Sequence, residues 1–228
     1  MKHAAPVSVG ALRRIPLWAG LDESVLADVA PAMRVLSAPK GSVVVTQDEP
    51  TRGVFFVTEG LLSFSRRAED GGEPLVFAVA HVGQVFGERS VVDDSSYSAT
   101  VTAMRDSILL HLPREDALRV FLSVPAVARR LMQHLSALLG DMNTARNSLT
   151  QHRAAPRLMD ALVRIAMPVT GQPGTLFIEA LPTQESLARL SGLKRETVSR
   201  LLAQWDREQR ITRAGRTLLL KIPDQAEL

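Results

Sequence analysis

Apolar and polar positions follow different periods in successive parts of the chain. Residues 11–33 have a short helical period, with Asp22 placed to cap a helix. Between residues 35 and 112, short runs rich in Val and Phe are separated by turn residues, mostly 8–12 residues apart. This spacing predicts an antiparallel β-sandwich or β-barrel, and the polar segment 67–74 predicts one of its hairpin turns.

The longest helical stretch, residues 125–150, carries one apolar stripe. Its members are spaced by four or three residues: Val127, Leu131, Leu135, Leu138, Met142, Ala145 and Leu149. This spacing is typical of a coiled-coil seam, and the stretch would span about 39 Å. The stripe could pack on the sheet of its own domain. Its length favours a parallel helix from a second subunit, so we expect a homodimer joined through helix 125–150.

A second domain is expected after this stripe. The pattern predicts a helix over 156–168 that ends at Pro168, then a short strand at "LFIEA". Two helices joined at Ser191–Gly192 follow, and a β-hairpin turns at Ala214–Gly215. The fold class is therefore α+β. We divide the chain into three segments: a strand-rich domain at 1–124, a helix and hinge at 125–152, and a second, mixed domain at 153–228.

Composition excludes several classes of protein. Of the 228 residues, 46% are hydrophobic and 22% are charged, as in globular proteins. No apolar run approaches the roughly 20 residues of a membrane helix, and the first 18 residues lack the apolar core of a secretory signal. The chain has no cysteine, which excludes disulfides, thiol chemistry and cysteine-ligated iron–sulfur clusters. We expect a cytoplasmic protein without membrane contact.

Charge is unevenly distributed along the chain. The net charge is only +3, but residues 151–228 hold 12 Lys and Arg against 8 Asp and Glu. Within them, residues 189–216 hold 8 against 3. A basic segment of this kind suits the phosphate backbone of a nucleic acid, although a solvated charged surface explains the charge alone equally well.

Residues 184–203, "QESLARLSGLKRETVSRLLA", predict a helix-turn-helix. Gly192 stands at the turn, where a positive φ is easiest for glycine, and Thr183 is a suitable N-cap. The buried side would be formed by Leu187, Leu190, Leu193, Val198 and Leu201. The second helix, 194–206, would then enter the major groove of DNA as a recognition helix.

The exposed face of the second helix carries the residue types that recognise bases. Arg195 and Arg200 can each bind O6 and N7 of guanine, and Glu196 can accept from N4 of cytosine. A salt bridge between Glu196 and Arg200 is the simpler alternative, but it explains only those two residues. Polar residues on and near the two helices suit contacts with DNA phosphates: Lys194, Thr197, Ser199, Thr183 and Gln184. Arg213 and Arg216 lie on the closing hairpin, which would contact the phosphate backbone as the wing of a winged helix.

Over residues 14–222 the chain resembles the cyclic-AMP receptor protein/FNR family of bacterial transcription regulators. The segment "RETVSR", 195–200, is similar to the family's R-E-T-V-x-R, and "GQVFGE", 83–88, resembles the entry to its phosphate-binding cassette. The resemblance implies a cyclic-nucleotide-binding-like β-roll (jelly roll), a dimerisation helix and a winged helix-turn-helix. It also implies a palindromic TGTGA-like DNA site, read by the recognition helix, and RNA polymerase as a partner.

The cassette "FGERSVVDDSSYSAT" departs from the family at one decisive position. Four positions match the family: Gly87, Glu88, Ser98 and Ala99. Tyr97 replaces the arginine that neutralises the cyclic phosphate, and Met142–Asn143 match the pair that contacts adenine. A neutral phenol cannot supply the charge-assisted hydrogen bonds of arginine, so the sequence argues against cyclic AMP.

The effector is not identified by these residues. Arg89 and Arg105 could meet an anionic nucleotide such as cyclic di-GMP, although a surface arginine is the simpler interpretation of Arg89. Each of three histidines could ligate haem: His81, His111 and His134. A lone histidine, however, usually has a structural role. Regulation without a small ligand is the remaining alternative. An effector in the β-roll would act through the hinge near 148–156.

An enzyme or a pure sensor on the same folds is the second class of function. Acid–base chemistry needs convergent groups, and the one close carboxylate pair in the cassette, Asp93–Asp94, has the pattern of a polar turn. The sequence has no glycine-rich phosphate loop, metal-ligand spacing or nucleophile elbow. We therefore expect neither a catalytic site nor a metal site.

Overall fold

The computed structural model describes residues 7–13, 15–67, 74–150, 154–169, 171–215 and 217–221, with the backbone alone for 141–150. The helices are α1 Val9–Leu12, α2 Glu23–Val29, α3 Glu88–Val92, α4 Arg114–Ser123, α5 Pro125–Thr150, α6 Ala154–Arg164, α7 Gln184–Ser191 and α8 Arg195–Arg207. The strands are β1 Arg34–Ala38, β2 Val43–Val45, β3 Gly53–Glu59, β4 Leu61–Arg66, β5 Leu75–His81, β6 Val85–Phe86, β7 Thr100–Ala103, β8 Ser107–Pro113, β9 Met167–Pro168, β10 Thr175–Ile178, β11 Ile211–Ala214 and β12 Thr217–Lys221.

The chain divides into two compact units. The first comprises Met1–Arg66 and Ala80–Gly140, and the second comprises Arg67–Val79 and Asp141–Leu228. No helix in the described ranges is long and apolar enough to cross a membrane.

The β-strands before residue 114 form two four-stranded sheets. Their strand orders are β1-β8-β3-β6 and β2-β7-β4-β5, and β8 pairs antiparallel with both β1 and β3. The predicted β-roll and the α+β class are therefore confirmed. The sequence pattern missed β1, because four of its five residues are exposed and it lacks the Val- and Phe-rich character of the other strands.

Strand β3 serves two hydrophobic cores because successive side chains point to opposite faces of a strand. Val54 and Phe56 join a core with Trp18 and the helices, and the rings of Trp18 and Phe56 lie 5.4 Å apart. Phe55 and Val57 join the core inside the roll, where Phe55 stacks on Phe86 at 4.9 Å. Aromatic rings therefore fill part of the interior of the roll.

The apolar stripe of α5 divides between two environments. Val127 and Leu131 are buried in the core of their own unit, and Leu135 packs against it. The expectation that the whole stripe faces a second subunit is wrong for these residues, because the first turns of α5 cover the chain's own core. Leu138 is 41% exposed. The side chains of Met142, Ala145 and Leu149 lie outside the described residues.

The second unit contains a three-helix core on a small sheet. The sheet order is β11-β12-β10-β9, and the buried residues include Leu158, Leu162, Leu187 and Trp205. The helix expected over 156–168 instead spans Ala154–Arg164. It ends earlier because Met167 and Pro168 pair with β10 as strand β9, and the residue before a proline disfavours helix.

Candidate functional site

A tight turn joins α7 to α8. Thr183 caps α7 through its side-chain oxygen, which accepts from the N–H of Ser186 at 3.1 Å. Gly192 ends α7 in the left-handed region, with φ 62° and ψ 32°, and the N–H of Leu193 donates to the carbonyl of Ala188 at 2.9 Å. The predicted turn glycine and N-cap are both present, so α8 leaves the turn in a fixed direction.

Gly192→Ala is expected to destabilise the second unit by about 1–2 kcal/mol, because an L side chain in the left-handed region crowds its own carbonyl. Thermal unfolding measures the change. Gly140→Ala is the control, since Gly140 lies in α5 with open space around the position of a Cβ and has no positive φ. Equal losses of stability in both variants would contradict a special role of the turn conformation.

Helix α8 has one buried face and one exposed face. Val198, Leu201, Leu202 and Trp205 are its buried residues. Lys194, Arg195, Glu196 and Arg200 are exposed, and Thr197 and Ser199 are half-buried at the edge of that surface. Residues three and four positions apart share a face of a helix, so Arg195, Glu196, Ser199 and Arg200 lie together, as the pattern predicts.

The exposed face of α8 borders a recess of about 430 Å³. The recess is lined by Gln184, Arg195, Glu196, Ser199, Arg200 and Ala203. Within the described part of the chain, no salt bridge or side-chain hydrogen bond is found for Arg195, Glu196 or Arg200. The salt bridge proposed as the simpler alternative is therefore not formed. Both guanidinium groups keep their donors available to a ligand.

The hairpin after α8 forms a small wing. Strands β11 and β12 pair antiparallel, with Ala214 opposite Thr217 at the turn. Arg213 is exposed on β11, and Arg216 lies outside the described residues. Arg213, one of the two residues of the wing predicted to contact phosphate, therefore lies on the surface of the wing. Thr183, a further predicted phosphate contact, is exposed, but its hydroxyl oxygen already serves as the cap of α7.

The sensor cassette begins at a constrained glycine. Gly87 has φ 88°, and a Cβ there would lie 2.6 Å from the carbonyl oxygen of Gly53. Glu88 follows as the first residue of α3. The cassette is thus held directly against the start of β3, and this close approach leaves no room for a side chain at position 87.

Tyr97 is a buried anchor of the cassette. Its side chain is 4% exposed, and its hydroxyl oxygen accepts from the N–H of Arg52 at 3.0 Å and of Gly53 at 3.3 Å. The hydroxyl also lies 3.2 Å from the carbonyl of Gly53 and donates to it. Burial raises the pKa of the phenol, so the group stays neutral at physiological pH. Position 97, which the resemblance pairs with the family's phosphate-binding arginine, therefore supplies no charge here.

Glu88 is directed at the long helix. Its side chain is 6% exposed, and Oε1 lies 3.4 Å from Nε2 of His134 on α5. Its other oxygen, Oε2, is buried and has no hydrogen-bond partner among the described residues. Nothing in the sequence indicated this pair, because Glu88 and His134 belong to distant segments and share no motif. Tyr97 therefore offers no charge to a phosphate, whereas Glu88 keeps one carboxylate oxygen that no described side chain or backbone group engages.

The remaining sensor residues are dispersed. Ala99 is buried. Arg89 is exposed, in agreement with the interpretation of this residue as a surface arginine. Arg105 is also exposed and interacts with another part of the chain. Ser98 is exposed, and its carbonyl accepts from Nε of Arg66 at 3.2 Å. The side chains of Met142 and Asn143 lie outside the described residues.

Each of the three histidines has its own surroundings. His81 Nδ1 lies 3.2 Å from the carbonyl of Val82, and the ring of His111 stacks on Phe55 at 4.6 Å. Burial lowers the pKa of His111, which keeps its ring neutral. His134 faces Glu88. In the ranges the structure covers, no group of three or more His, Cys, Asp or Glu is arranged to hold a metal ion.

The carboxylate pair Asp93–Asp94 is part of a turn. Oδ1 of Asp93 accepts from the hydroxyl of Ser95 at 2.5 Å, and this hydrogen bond lowers the pKa of Asp93. Asp94 forms a salt bridge with Arg114 at the start of α4. Both carboxylates have structural partners, in agreement with the predicted polar turn.

Two family models match this chain. Residues 35–123 match the cyclic nucleotide-binding domain, and residues 156–228 match the Crp-like helix-turn-helix domain. Together they cover the β-roll and the helix-turn-helix described above.

Three individual proteins illustrate the similarity. The "Cyclic AMP receptor protein" of Thermus thermophilus is 30% identical over 164 residues, 72% of this chain and 73% of that protein. The "CRP-like cAMP-activated global transcriptional regulator" of Mycobacterium tuberculosis is 26% identical over 211 residues, 92% and 93% of the two chains. The structure of FixK2 from Bradyrhizobium japonicum has the same fold, with a TM-score of 0.64, 24% identity, and coverage of 82% and 92%.

Proposed function

The chain belongs to the Crp/Fnr family of transcription regulators, and we propose that it acts as a homodimeric, sequence-specific DNA-binding regulator. Helix α8 enters the major groove and reads a palindromic site with guanine-containing, TGTGA-like half-sites. The observation that carries this proposal is the exposed face of α8, where Arg195, Glu196 and Arg200 border one recess and none is engaged within the described chain. Contact with RNA polymerase in the cytoplasm belongs to the same proposal.

The contacts divide into two types. Arg195 and Arg200 each bind a guanine through O6 and N7, and Glu196 accepts from a cytosine N4. Lys194, Thr197 and the wing residue Arg213 contact phosphates and so set the register of the protein on the duplex. An arginine fork is specific for guanine, whereas a phosphate contact carries no sequence information. Sequence preference therefore depends on the exposed face of α8.

The second copy of the chain docks along α5. On the side of this helix that the chain's own core does not cover, Met132, Leu138 and Leu139 are exposed apolar residues, at 61%, 41% and 60%. Large exposed apolar groups on one long helix are typical of a surface that a partner covers. A two-fold dimer then presents two copies of α8 to half-sites about one helical turn, roughly 34 Å, apart.

In vitro selection from a random duplex library tests the proposal. The expected product is an inverted repeat whose half-sites contain guanine and are centred about 10 base pairs apart, or a multiple of that distance. Binding to the selected operator should weaken steeply with salt, since each neutralised phosphate adds about −0.9 to the slope of log K against log salt. Selection of sequences without two-fold symmetry would contradict the dimeric arrangement, and recovery of no enriched sequence would contradict sequence-specific binding.

We propose that the effector is not cyclic AMP held through its phosphate at position 97. The phenol of Tyr97 is buried and neutral and is fully engaged with the backbone of Arg52 and Gly53. Glu88 is turned to His134. These internal contacts favour regulation by a different ligand, or without a small ligand, over regulation by cyclic AMP.

A further inference from the structure

Two arginines of α6 contact the end of α7. Nε of Arg157 donates to the carbonyl of Ser191 at 3.0 Å, and its Nη2 donates to the carbonyl of Gly192 at 2.5 Å. Nη2 of Arg164 donates to the carbonyl of Leu190 at 3.1 Å. The three acceptors are consecutive and lie between the last turn of α7 and the turn that precedes α8.

These carbonyls have no partner within their own helix. The last four carbonyls of an α-helix lack intrahelical donors and must be satisfied in another way. In α7 the carbonyls of Ala188 and Arg189 accept from the N–H of Gly192. Leu190 and Ser191, the last two residues of the helix, are satisfied by the α6 arginines. Ser191 is fully buried, so in the folded protein its carbonyl depends on a protein donor.

The contact of Arg157 with Gly192 lies immediately before α8. Only Leu193 and Lys194 separate Gly192 from the first residue of α8. A guanidinium is planar, and its two donors fix both the position and the plane of what they bind. Because Arg157 binds two successive carbonyls, it sets the orientation of the peptide unit from which α8 departs. Cations at a helix C-terminus also stabilise it electrostatically.

We propose that Arg157 and Arg164 are positioning residues for DNA recognition. They act through the end of α7 to hold α8 at the angle at which Arg195 and Arg200 reach base edges, without touching DNA. This inference rests on the proposed function, because its consequence is a loss of discrimination between an operator and random DNA. The donors of Arg157 that are engaged on Ser191 and Gly192 are not available to a phosphate.

The test compares Arg157→Gln, Arg157→Lys and Arg164→Gln with Arg34→Gln in the full-length protein. Arg34 is an exposed residue of β1 in the first unit, so its substitution removes the same charge without removing a contact to α7 or a residue of α5. Fluorescence anisotropy measures binding to the selected operator and to a random duplex at several salt concentrations. Circular dichroism establishes that each variant is folded at the assay temperature.

Arg157→Gln is expected to lower the ratio of operator affinity to random-duplex affinity about tenfold. Its affinity for the random duplex and the salt slope of that binding should match those of Arg34→Gln. Arg157→Lys should lie between wild type and Arg157→Gln, since an ammonium keeps the charge but lacks the planar fork. Arg164→Gln removes one hydrogen bond and should lower the ratio about threefold.

Two results would overturn the proposal. If the ratio of operator affinity to random-duplex affinity is the same in Arg157→Gln as in wild type, Arg157 only stabilises the fold. A salt slope smaller in magnitude by about 1.8 than that of the control, about 0.9 for each copy of Arg157 in the dimer, would identify a direct phosphate contact. Amide hydrogen exchange in the DNA-free protein provides an independent readout, with faster exchange expected for Leu193 and Thr197 in Arg157→Gln. If the wild-type protein binds the operator no more tightly than random DNA, the proposed function is wrong. The positioning role is tested separately, because unchanged amide exchange of Leu193 and Thr197 in Arg157→Gln would contradict it.

Discussion

Replacement of Arg195 by alanine is expected to weaken binding of the dimer to its selected operator by about 2–6 kcal/mol, since each half-site loses about 1–3 kcal/mol. The reason is that the guanidinium is exposed, has no partner in the described chain and borders the recess of α8. A bidentate contact to guanine is lost in each half-site, and the base preference at that position should relax. Arg200→Ala should act in the same way at a second position of the half-site. Anisotropy with operators mutated at single base pairs measures both effects.

Arg213→Ala is the matched control for this prediction. Arg213 is exposed on the wing strand β11 and is proposed to contact phosphate. Its loss should weaken binding to all sequences about equally and reduce the magnitude of the salt slope by about two, one for each copy of Arg213 in the dimer. If Arg195→Ala and Arg200→Ala both bind the operator as tightly as wild type, the assignment of α8 as the base-reading element is wrong.

Tyr97→Arg is expected to destabilise the first unit by about 3–5 kcal/mol, although it restores the residue type of the family's phosphate site. The new cation would be buried without a partner among the aromatic and aliphatic side chains of the roll interior. The N–H groups of Arg52 and Gly53 would also lose the oxygen that accepts from them. Chemical denaturation of wild type and variant measures the loss.

Tyr97→Phe separates the two causes of that loss. It keeps the ring and removes only the hydroxyl, so it should cost about 1–3 kcal/mol through the unsatisfied backbone N–H groups. Cyclic AMP should raise the melting temperature of neither wild type nor Tyr97→Phe. A stable Tyr97→Arg variant whose melting temperature rises with cyclic AMP would contradict the interpretation of this position, as would a large shift of wild type.

The helix-turn-helix was predictable because its signals are local. Gly192, the N-cap Thr183 and the period of Val198 and Leu201 lie within about 20 residues, and each has a direct meaning for backbone geometry. The exposed position of Arg195 follows from the same period. The end of α6 was misjudged because Met167 and Pro168 pair with a strand that a one-dimensional pattern does not place beside them.

The sensor cassette shows where such prediction ends. The absence of an arginine at position 97 is visible in the sequence, but the partners of the phenol are not, because Arg52 and Gly53 lie 45 and 44 residues away. The same holds for Glu88 and His134, and for the arginines of α6 that bind the end of α7. Such contacts depend on tertiary packing, and a single polar residue carries no period that would indicate its partner.

Burial of Val127 and Leu131 in their own unit has a kinetic consequence for assembly. Because the start of α5 is secured by the core of the chain that contains it, that part of the helix forms in a unimolecular step. Association of two chains in the proposed dimer is then a separate bimolecular step, slow at low protein concentration and fast at high concentration. The amount of protein in the cell would thus set how quickly newly made chains become able to occupy an operator.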